Sequence, residues 1–418
     1  MEIPVVFATD ENYLFYMVTA ITSMAENASK DTFYQIYILA SEDLRKGHRL
    51  LTDLQKKYLN IGLKLLPVDG NEFQGVTIHN KHITKATFYR LLLSELLQAD
   101  KCLYLDSDII VNMDLQELYL TDLGANYIAG VRDLWIDVLE DGERETRRAR
   151  TNIPSLDQYV NAGVLLLNLG KIREEHLVEK FRIHMAKDYL FEDQDIINVC
   201  CYNHIKRLPA KWNLYTSYMG QLEELREKGI DSQTIRYMEE KKGILHYATL
   251  LIRPWRSQRF ICNDIWWKYA EIWRNTPEFQ ILEKRVRQRD MGYSEAKTAM
   301  YCTAYDKVYI WGFTAFGRSV MMALLERGTE NIAGFIDHDE DKQRFTYCGK
   351  AVSAFEISNY KPGKCAIIIA SQKRGEEIKK MLIDKGVLEE DIVCFVQKGS
   401  YYYQCLRPEL REEENRGE

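Results

Sequence analysis

The sequence predicts an α/β protein with two units, each built on a mostly parallel sheet with helices on both faces, and three observations carry that expectation. Through the first part of the chain, short apolar runs alternate with longer amphipathic stretches, as strands and helices do in turn. The run Leu103-Tyr104-Leu105-Asp106-Ser107-Asp108-Ile109-Ile110-Val111 is apolar enough for a buried strand, yet two carboxylates interrupt it at spacing two. From Lys307 onward a fresh strand, a glycine-bearing turn and a helix follow a charged stretch.

The elements follow in order. Residues 2–8 read as a strand, Thr9-Asp10-Glu11-Asn12 as a polar loop, and the spacing of Tyr16, Ala20, Ile21 and Met24 as a helix. Residues 33–39 and 62–68 read as strands flanking a helix over 42–58, and 87–97 as a strongly apolar helix leading into the 103–111 strand. Residues 127–131 and 159–169 look like further strands. Between them, 141–150 is charged and holds Arg144, Arg147, Arg148 and Arg150. It reads as a solvated mobile loop, with a lid or a contact for an anionic acceptor as the functional alternative. Tryptophans over 265–273 and dense charge over 283–289 mark a helical connector, placed at 276–304 after a first domain of residues 1–275. The second domain, 305–400, has strands at 308–311, 332–337, 366–370 and 392–396 and helices at 318–327 and 375–385, and 401–418 reads as a polar tail. No internal repeat is visible.

The bulk numbers exclude several classes. With 418 residues, 46% hydrophobic and 28% charged, the chain is ordinary for a globular protein of two domains. A formal net charge of -6 gives no positive field to gather nucleic acid. No apolar run approaches the roughly 18 residues of a membrane span, and the start, Met1-Glu2-Ile3-Pro4, lacks the basic flank and apolar core of a signal peptide. Nine cysteines, odd in number and without a C-x-x-C pair, read as reduced residues of a cytoplasmic protein.

The chemistry starts from Asp106 and Asp108. On a strand, residues two apart share a face, so the two carboxylates project together. Adjacent buried carboxylates repel, and a hard divalent cation that also holds substrate phosphates is the economical reason for them. Three more segments accompany the pair: Ala8-Thr9-Asp10-Glu11-Asn12-Tyr13; Asn161-Ala162-Gly163-Val164 with Asp193-Gln194-Asp195 downstream; and His246-Tyr247 with Arg253-Pro254-Trp255. Singly, Asp10 and Asp193 also suit helix caps, Asn161 a turn, and His246 a satisfied core histidine. As an ordered set they favour a site.

In these motifs, from about residue 3 to 273, the chain resembles the family 8 retaining glycosyltransferases, which include bacterial lipopolysaccharide galactosyl- and glucosyltransferases. The resemblance implies the nucleotide-diphospho-sugar transferase (GT-A-like) fold. It implies that Ala8, Thr9, Asp10 and Asn12 hold uracil and ribose, with Ser107 and Arg90 at the donor. Asp106, Asp108 and His246 would hold Mn²⁺, with Mg²⁺ as the alternative. Asn161, Ala162, Asp193 and Gln194 would surround the transferred sugar, the last two as the catalytic pair, and Arg253 would reach the diphosphate. The partners implied are a UDP-sugar donor, galactose or glucose, and a glycan or glycolipid acceptor of a cell-surface polysaccharide, with a peripheral place at the inner membrane face and a homo-oligomer left open. The family's H-Y-x-G-x-x-K-P-W ending is altered: the segment His246 to Trp255 lacks the glycine, is one residue longer, and has Arg253 where lysine is expected. Gln194 beneath the anomeric carbon is a poor nucleophile, which favours front-face attack over a covalent intermediate on Asp193.

In the second domain, Gly312-Phe313-Thr314-Ala315-Phe316-Gly317 follows a strand and opens a helix, and Asp337 ends the next strand. That is the setting of a Rossmann-like nucleotide site made by Gly312, Gly317 and Asp337, except that Thr314 replaces the central glycine. Two rival functions follow: an NAD-dependent sugar oxidoreductase or epimerase working through this domain, and a non-catalytic nucleotide-sugar-binding protein. No Y-x-x-x-K pair follows the glycine turn, which counts against the first.

Overall fold

The computed structural model describes residues 1–40, 49–73, 76, 85–249, 252–291, 295–371, 374–395 and 405–410. The chain divides into two compact units, Met1–Ala248 with Lys268–Ile272, and Thr249–Trp267 with Trp273–Glu418. Among the described residues no helix is long and apolar enough to cross a membrane.

The first unit carries strands β1 (Glu2–Ala8), β2 (Phe33–Ala40), β3 (Ile61–Pro67), β4 (Lys101–Leu105), β5 (Ile109–Val111), β6 (Ile128–Arg132), β7 (Val160–Asn168), β8 (Ile205–Leu208), β9 (Leu214–Tyr215) and β10 (Ile244–His246). Seven form a mixed sheet in the order β3-β2-β1-β4-β7-β6-β8. Here β1 is parallel to β2 and β4, β7 is antiparallel to β4 and β6, and β8 is parallel to β6. The carboxyl ends of β1, β4, β6 and β8 therefore share one edge with the start of β7. That edge is where an open α/β sheet gathers ligands. β7 is buried over eight of its nine residues, as a strand covered on both faces must be.

Several expectations need correction. The 103–111 run is not one strand. β4 stops at Leu105, and β5 begins at Ile109 in a separate three-stranded sheet, β5-β10-β9. Asp106, Ser107 and Asp108 are the crossover, so the pair is gathered by a change of sheet and not by the pleat of a single strand. The 87–97 helix is mostly a tighter 3₁₀ segment, Lys85–Leu92, passing into one α-turn, Leu93–Leu96. The arginine-rich 141–150 segment is not a solvated loop. It is the helix Asp141–Thr151, opened by a capping box in which Glu140 and Glu143 bond each other's backbone. Of the 42–58 helix, Arg49–Lys57 is seen and 42–48 lies outside the described residues.

The second unit has a sheet of β11 (Lys307–Trp311), β12 (Ile332–Ile336), β13 (Thr346–Tyr347), β14 (Lys350–Ser353), β15 (Cys365–Ile369) and β16 (Ile392–Cys394), ordered β13-β14-β12-β11-β15-β16 and parallel except for β13. The alternation along the strands is legible side by side. Val308, Ile310 and Ile368 join one apolar cluster with Val320, Met321 and Leu324 of helix Ala315–Glu326. Trp311, Ile367 and Ile369 join the other with Leu382 of helix Gly375–Asp384. β13 and β14 were not foreseen, because two- and four-residue strands leave no periodic signature. The polar-tail expectation fails over 405–410: Cys405 and Leu406 pack with Ile252 and Phe260, and Leu410 is buried. All nine cysteines are free.

The glycine turn after β11 is sterically exacting. Gly312 has φ +106°, and a Cβ on Gly317 would sit 1.9 Å from the Gly312 carbonyl oxygen. Gly317→Ala should lower stability by about 1–3 kcal/mol, the cost of overpacking a tight contact. Chemical denaturation of the full chain would read this, and an unchanged midpoint would refute the close approach.

Candidate active site

The site grows from the crossover between the two sheets. The Asp106 N–H donates to Gly163 O at 2.8 Å, and the Tyr247 N–H donates to Asp108 O at 2.9 Å. The main chain at Asp106 is thus fixed to β7 and that at Asp108 to the residue after β10. Because β10 runs antiparallel to β5 with His246 opposite Ile109, the imidazole faces back toward the pair. One ligand atom each from Asp106, Asp108 and His246 lies within 4.8 Å of the others, with His246 Nε2 3.3 Å from Asp108 Oδ1. His246 is buried, and its Nδ1 donates to Asn213 Oδ1 at 2.9 Å. That leaves Nε2 directed at the carboxylates, either as a proton donor to Asp108 or as a lone pair for a cation. Two carboxylate oxygens and one imidazole nitrogen form a donor set that Mn²⁺ accepts readily.

Gly163 makes this convergence possible. A Cβ there would lie 2.4 Å from His246 Cε1 and 2.9 Å from Asp106 Oδ2. The N-A-G motif therefore has a steric meaning: its glycine is the floor on which two of the three converging groups rest.

Arg90 is the second organiser. Its side chain is 5% exposed and reaches three places at once: Ala162 O at 2.6 Å, Asp106 Oδ1 at 3.1 Å and Asp193 Oδ2 at 2.9 Å. It stacks over the Tyr104 ring, whose hydroxyl donates to Asp106 Oδ1. Burial works against its charge, but Asp106 and Asp193 outweigh that and hold the guanidinium above its ordinary pKa. The Arg90 Nε–H points at Thr87 O, so Asp193 Oδ2 is ion-paired without a direct hydrogen bond. Burial, together with the charges of Asp106 and Glu192, pushes the Asp193 carboxyl up to about 7 against the pull of Arg90.

From His246 a line of amides runs across the site. Asn213 Nδ2 donates to Asn161 Oδ1 at 2.8 Å, and Asn161 Nδ2 donates to Gln194 Oε1 at 2.8 Å. Gln194 Nε2 donates to Asp133 Oδ2 at 2.7 Å, and Asp133 Oδ1 accepts from Tyr215 OH at 2.9 Å. Helix Glu192–Cys200 is docked by Asn198, which bonds both backbone groups of Val160. Glu192 enters that helix at φ +40°, a backbone strain seated beside the candidate catalytic pair. Behind it Asp195 accepts from Arg147 Nη2 at 2.6 Å, with the guanidinium 3.8 Å from the Phe191 ring centre.

At the other end, Ser107 Oγ donates to Ala8 O, and Thr9 N donates to Leu39 O. Asp10 Oδ1 accepts from the Asn12 and Tyr13 N–H groups, a turn-capping role that leaves Asn12 exposed. Ala8, Thr9, Asp10, Asn12 and Ser107 therefore stand at the same sheet edge as Asp106. Arg253 falls in the second unit, buried, 5.4 Å from the Trp255 ring centre. Gly312, Gly317 and Asp337 also lie there. The Asp337 carboxylate accepts from Phe313 N, Asp339 N and Lys342 Nζ, which ties the glycine turn to β12. Sequence reasoning missed Asp133, Asn213, Tyr215 and Arg147. Only Arg147 lay in a segment that had drawn notice, and its charge pattern pointed to solvent.

The model of glycosyl transferase family 8 matches residues 4–259. The chain belongs to that family. A separate family, C2185-like, N-terminal, matches residues 304–393. A protein of Haemophilus influenzae named as a glycosyltransferase is 30% identical over 214 residues, which are 50% of this chain and 62% of that one. The lipopolysaccharide 1,2-glucosyltransferase of Escherichia coli is 28% identical over 75% of this chain and 89% of its own length. The galactosyltransferase LgtC, solved with donor and acceptor sugar analogs, is 26% identical with a TM-score of 0.52, covering 65% of this chain and 99% of that chain. The fold is the GT-A-like α/β arrangement with an additional C-terminal sheet domain.

Gly163→Ala, which crowds His246, or Asn213→Ala, which removes its hydrogen bond, should weaken divalent-cation binding at the cluster about 10–100-fold, as disturbing ligand orientation does. Titration calorimetry with Mn²⁺ checks this, and circular dichroism confirms an intact fold. Wild-type affinity in Gly163→Ala would refute the steric argument.

Proposed function

We propose that this family 8 member transfers a hexose, galactose or glucose, from a UDP-sugar to a saccharide acceptor of a bacterial cell-surface glycan, with retention and with Mn²⁺. The convergence of Asp106, Asp108 and His246 beside the Arg90 and Gln194 networks carries this reading. The named activities of the Escherichia coli glucosyltransferase and of LgtC support it.

The chain's own residues do the following. Ala8, Thr9, Asp10 and Asn12 receive the nucleoside, and Ser107 lines the approach to the diphosphate. A bound divalent cation supplies charge neutralisation at the diphosphate leaving group. Arg90 braces Asp106 and Asp193 so that both keep their positions as charge shifts toward the diphosphate. Asp193 accepts hydroxyl hydrogen bonds from the donor sugar. The Gln194 oxygen already accepts from Asn161 and from the Ala162 N–H, and its nitrogen donates to Asp133. An amide so committed positions the sugar and makes no bond to it. The acceptor oxygen then attacks the face that UDP leaves: the anomeric C–O bond to phosphate breaks as the new C–O bond forms, and the acceptor proton passes to the departing phosphate oxygen.

The part of the second unit over 305–400 we read as a Rossmann-like module outside the bond-making chemistry. Counted from β11, its parallel strands run 3-2-1-4-5. A nucleotide at Gly312 and Gly317 would need Asp337 to release its internal partners, so an assembly role is favoured. The comparisons offer nothing for the oxidoreductase alternative.

UDP release measured with several UDP-sugars should require Mn²⁺ and vanish with chelator. Asp108→Asn should lose metal-dependent UDP binding while staying folded. Full release in chelator would overturn the assignment. Gln194→Ala should lower turnover about a hundredfold yet leave it measurable, the effect of losing a positioning dipole. A glycosyl adduct on Asp193 in intact-mass spectra would overturn front-face attack.

A further inference from the structure

A cleft of about 720 Å³ opens where β6 and β8 end, walled by Arg132, Arg144, Arg207, Lys228, Asp137 and Tyr215. Strand directions put it on the same sheet edge as Asp106 and Asn161. Asn213 and Tyr215 both line it, and they are the partners of His246 and Asp133. The cleft therefore borders the candidate transfer site, and its volume suits a small ligand.

Its charge is unbalanced. Four cationic side chains line the cleft against two acids, Asp137 and Asp231. Asp231 is engaged elsewhere, accepting from Thr234 N and Thr234 Oγ1 as the cap of helix Ser232–Glu240. Asp137 pairs with Arg132, and its carboxyl is pushed up by burial although Arg132, Arg144 and Arg207 all pull it down. Three cations thus converge on one inner carboxylate. The remaining acids stand at the rim. Asp157 is 3.7 Å from Arg132 and 3.8 Å from Arg144 but 70% exposed, and Glu140 is 3.4 Å from Lys228 but 81% exposed. Such exposed pairs are weak and screened, so they do not neutralise the interior.

We propose that this cleft receives the acceptor and selects saccharides bearing an anionic group, a phosphate monoester or a carboxylate, held by Arg207, Arg144 and Lys228. The inference rests on the hexosyl-transfer reading and adds the acceptor's chemical class. A guanidinium binds either anion in bidentate fashion, and Asn161 stands on β7, the strand next to β6.

The test is calorimetry on the full chain in UDP and Mn²⁺, titrating glucose 6-phosphate, glucuronic acid and glucose. At least one anionic sugar should bind about tenfold or more tightly than glucose, and the tighter of the two identifies the anion. Arg207→Gln should remove about tenfold of that preference, and Arg207→Lys should keep part of it. Equal binding of all three sugars, or a preference unchanged in Arg207→Gln, overturns the proposal. UDP affinity in Mn²⁺ serves as the folding control. Donor-dependent UDP release is measured separately, so a failed transferase reading shows in that assay and a failed acceptor reading in this one.

Discussion

A buried guanidinium must be paired, and nearly everything at this site follows from how Arg90 meets that demand. Placed in a low-dielectric interior, it needs anions and carbonyls within reach, and it takes them from three separate stretches of chain. The end of β4, the start of helix Glu192–Cys200 and the backbone of β7 are thereby pinned to one atom group. Without it, the like charges of Asp106 and Asp193 would lose the cation they share. The 3₁₀ segment that carries Arg90 is tighter than the α-helix that was expected, and the Thr87 carbonyl at its start turns the side chain toward the carboxylates.

The strand-and-helix alternation was legible because both sheets bury long, β-branched or apolar runs; Val160–Asn168 and Cys365–Ile369 could hardly be anything else. What escaped was short or tertiary. β9, β10 and β13 are two or three residues long, too short for any period to show. The break between β4 and β5 falls on Asp106-Ser107-Asp108, and the apolar runs on either side made those residues read as part of one continuous strand. The Asp141–Thr151 helix looked solvated because arginine usually is. Its Arg147 is buried because Trp135, Tyr159 and Phe191 wrap the guanidinium and Asp195 neutralises it. At the site, ordered motifs pointed to Asp106, Asp108, His246, Asn161 and Gln194. They did not point to Asn213 or Asp133, which lie outside any motif and matter only through what they touch.

The two units illustrate different uses of a glycine beside a strand. At Gly163 the missing side chain makes room for other side chains to converge. At Gly312 and Gly317 it lets backbone approach backbone, and the carboxylate that could have met a ligand, Asp337, instead bonds the turn itself. Similar glycine turns can therefore serve ligand or scaffold, and the difference is read from where the acid spends its oxygens.

The line of amides from Asp133 to His246 has a polarity, and that polarity has a source. A carboxylate can only accept, so Gln194 must present its nitrogen to Asp133 and its oxygen to Asn161. Asn161 must then show oxygen to Asn213, which must show oxygen to His246. No amide in the row can flip alone. The last link asks for a proton on Nδ1 and so turns Nε2 toward Asp108. An anion four side chains away from the imidazole thus decides which nitrogen a cation would meet.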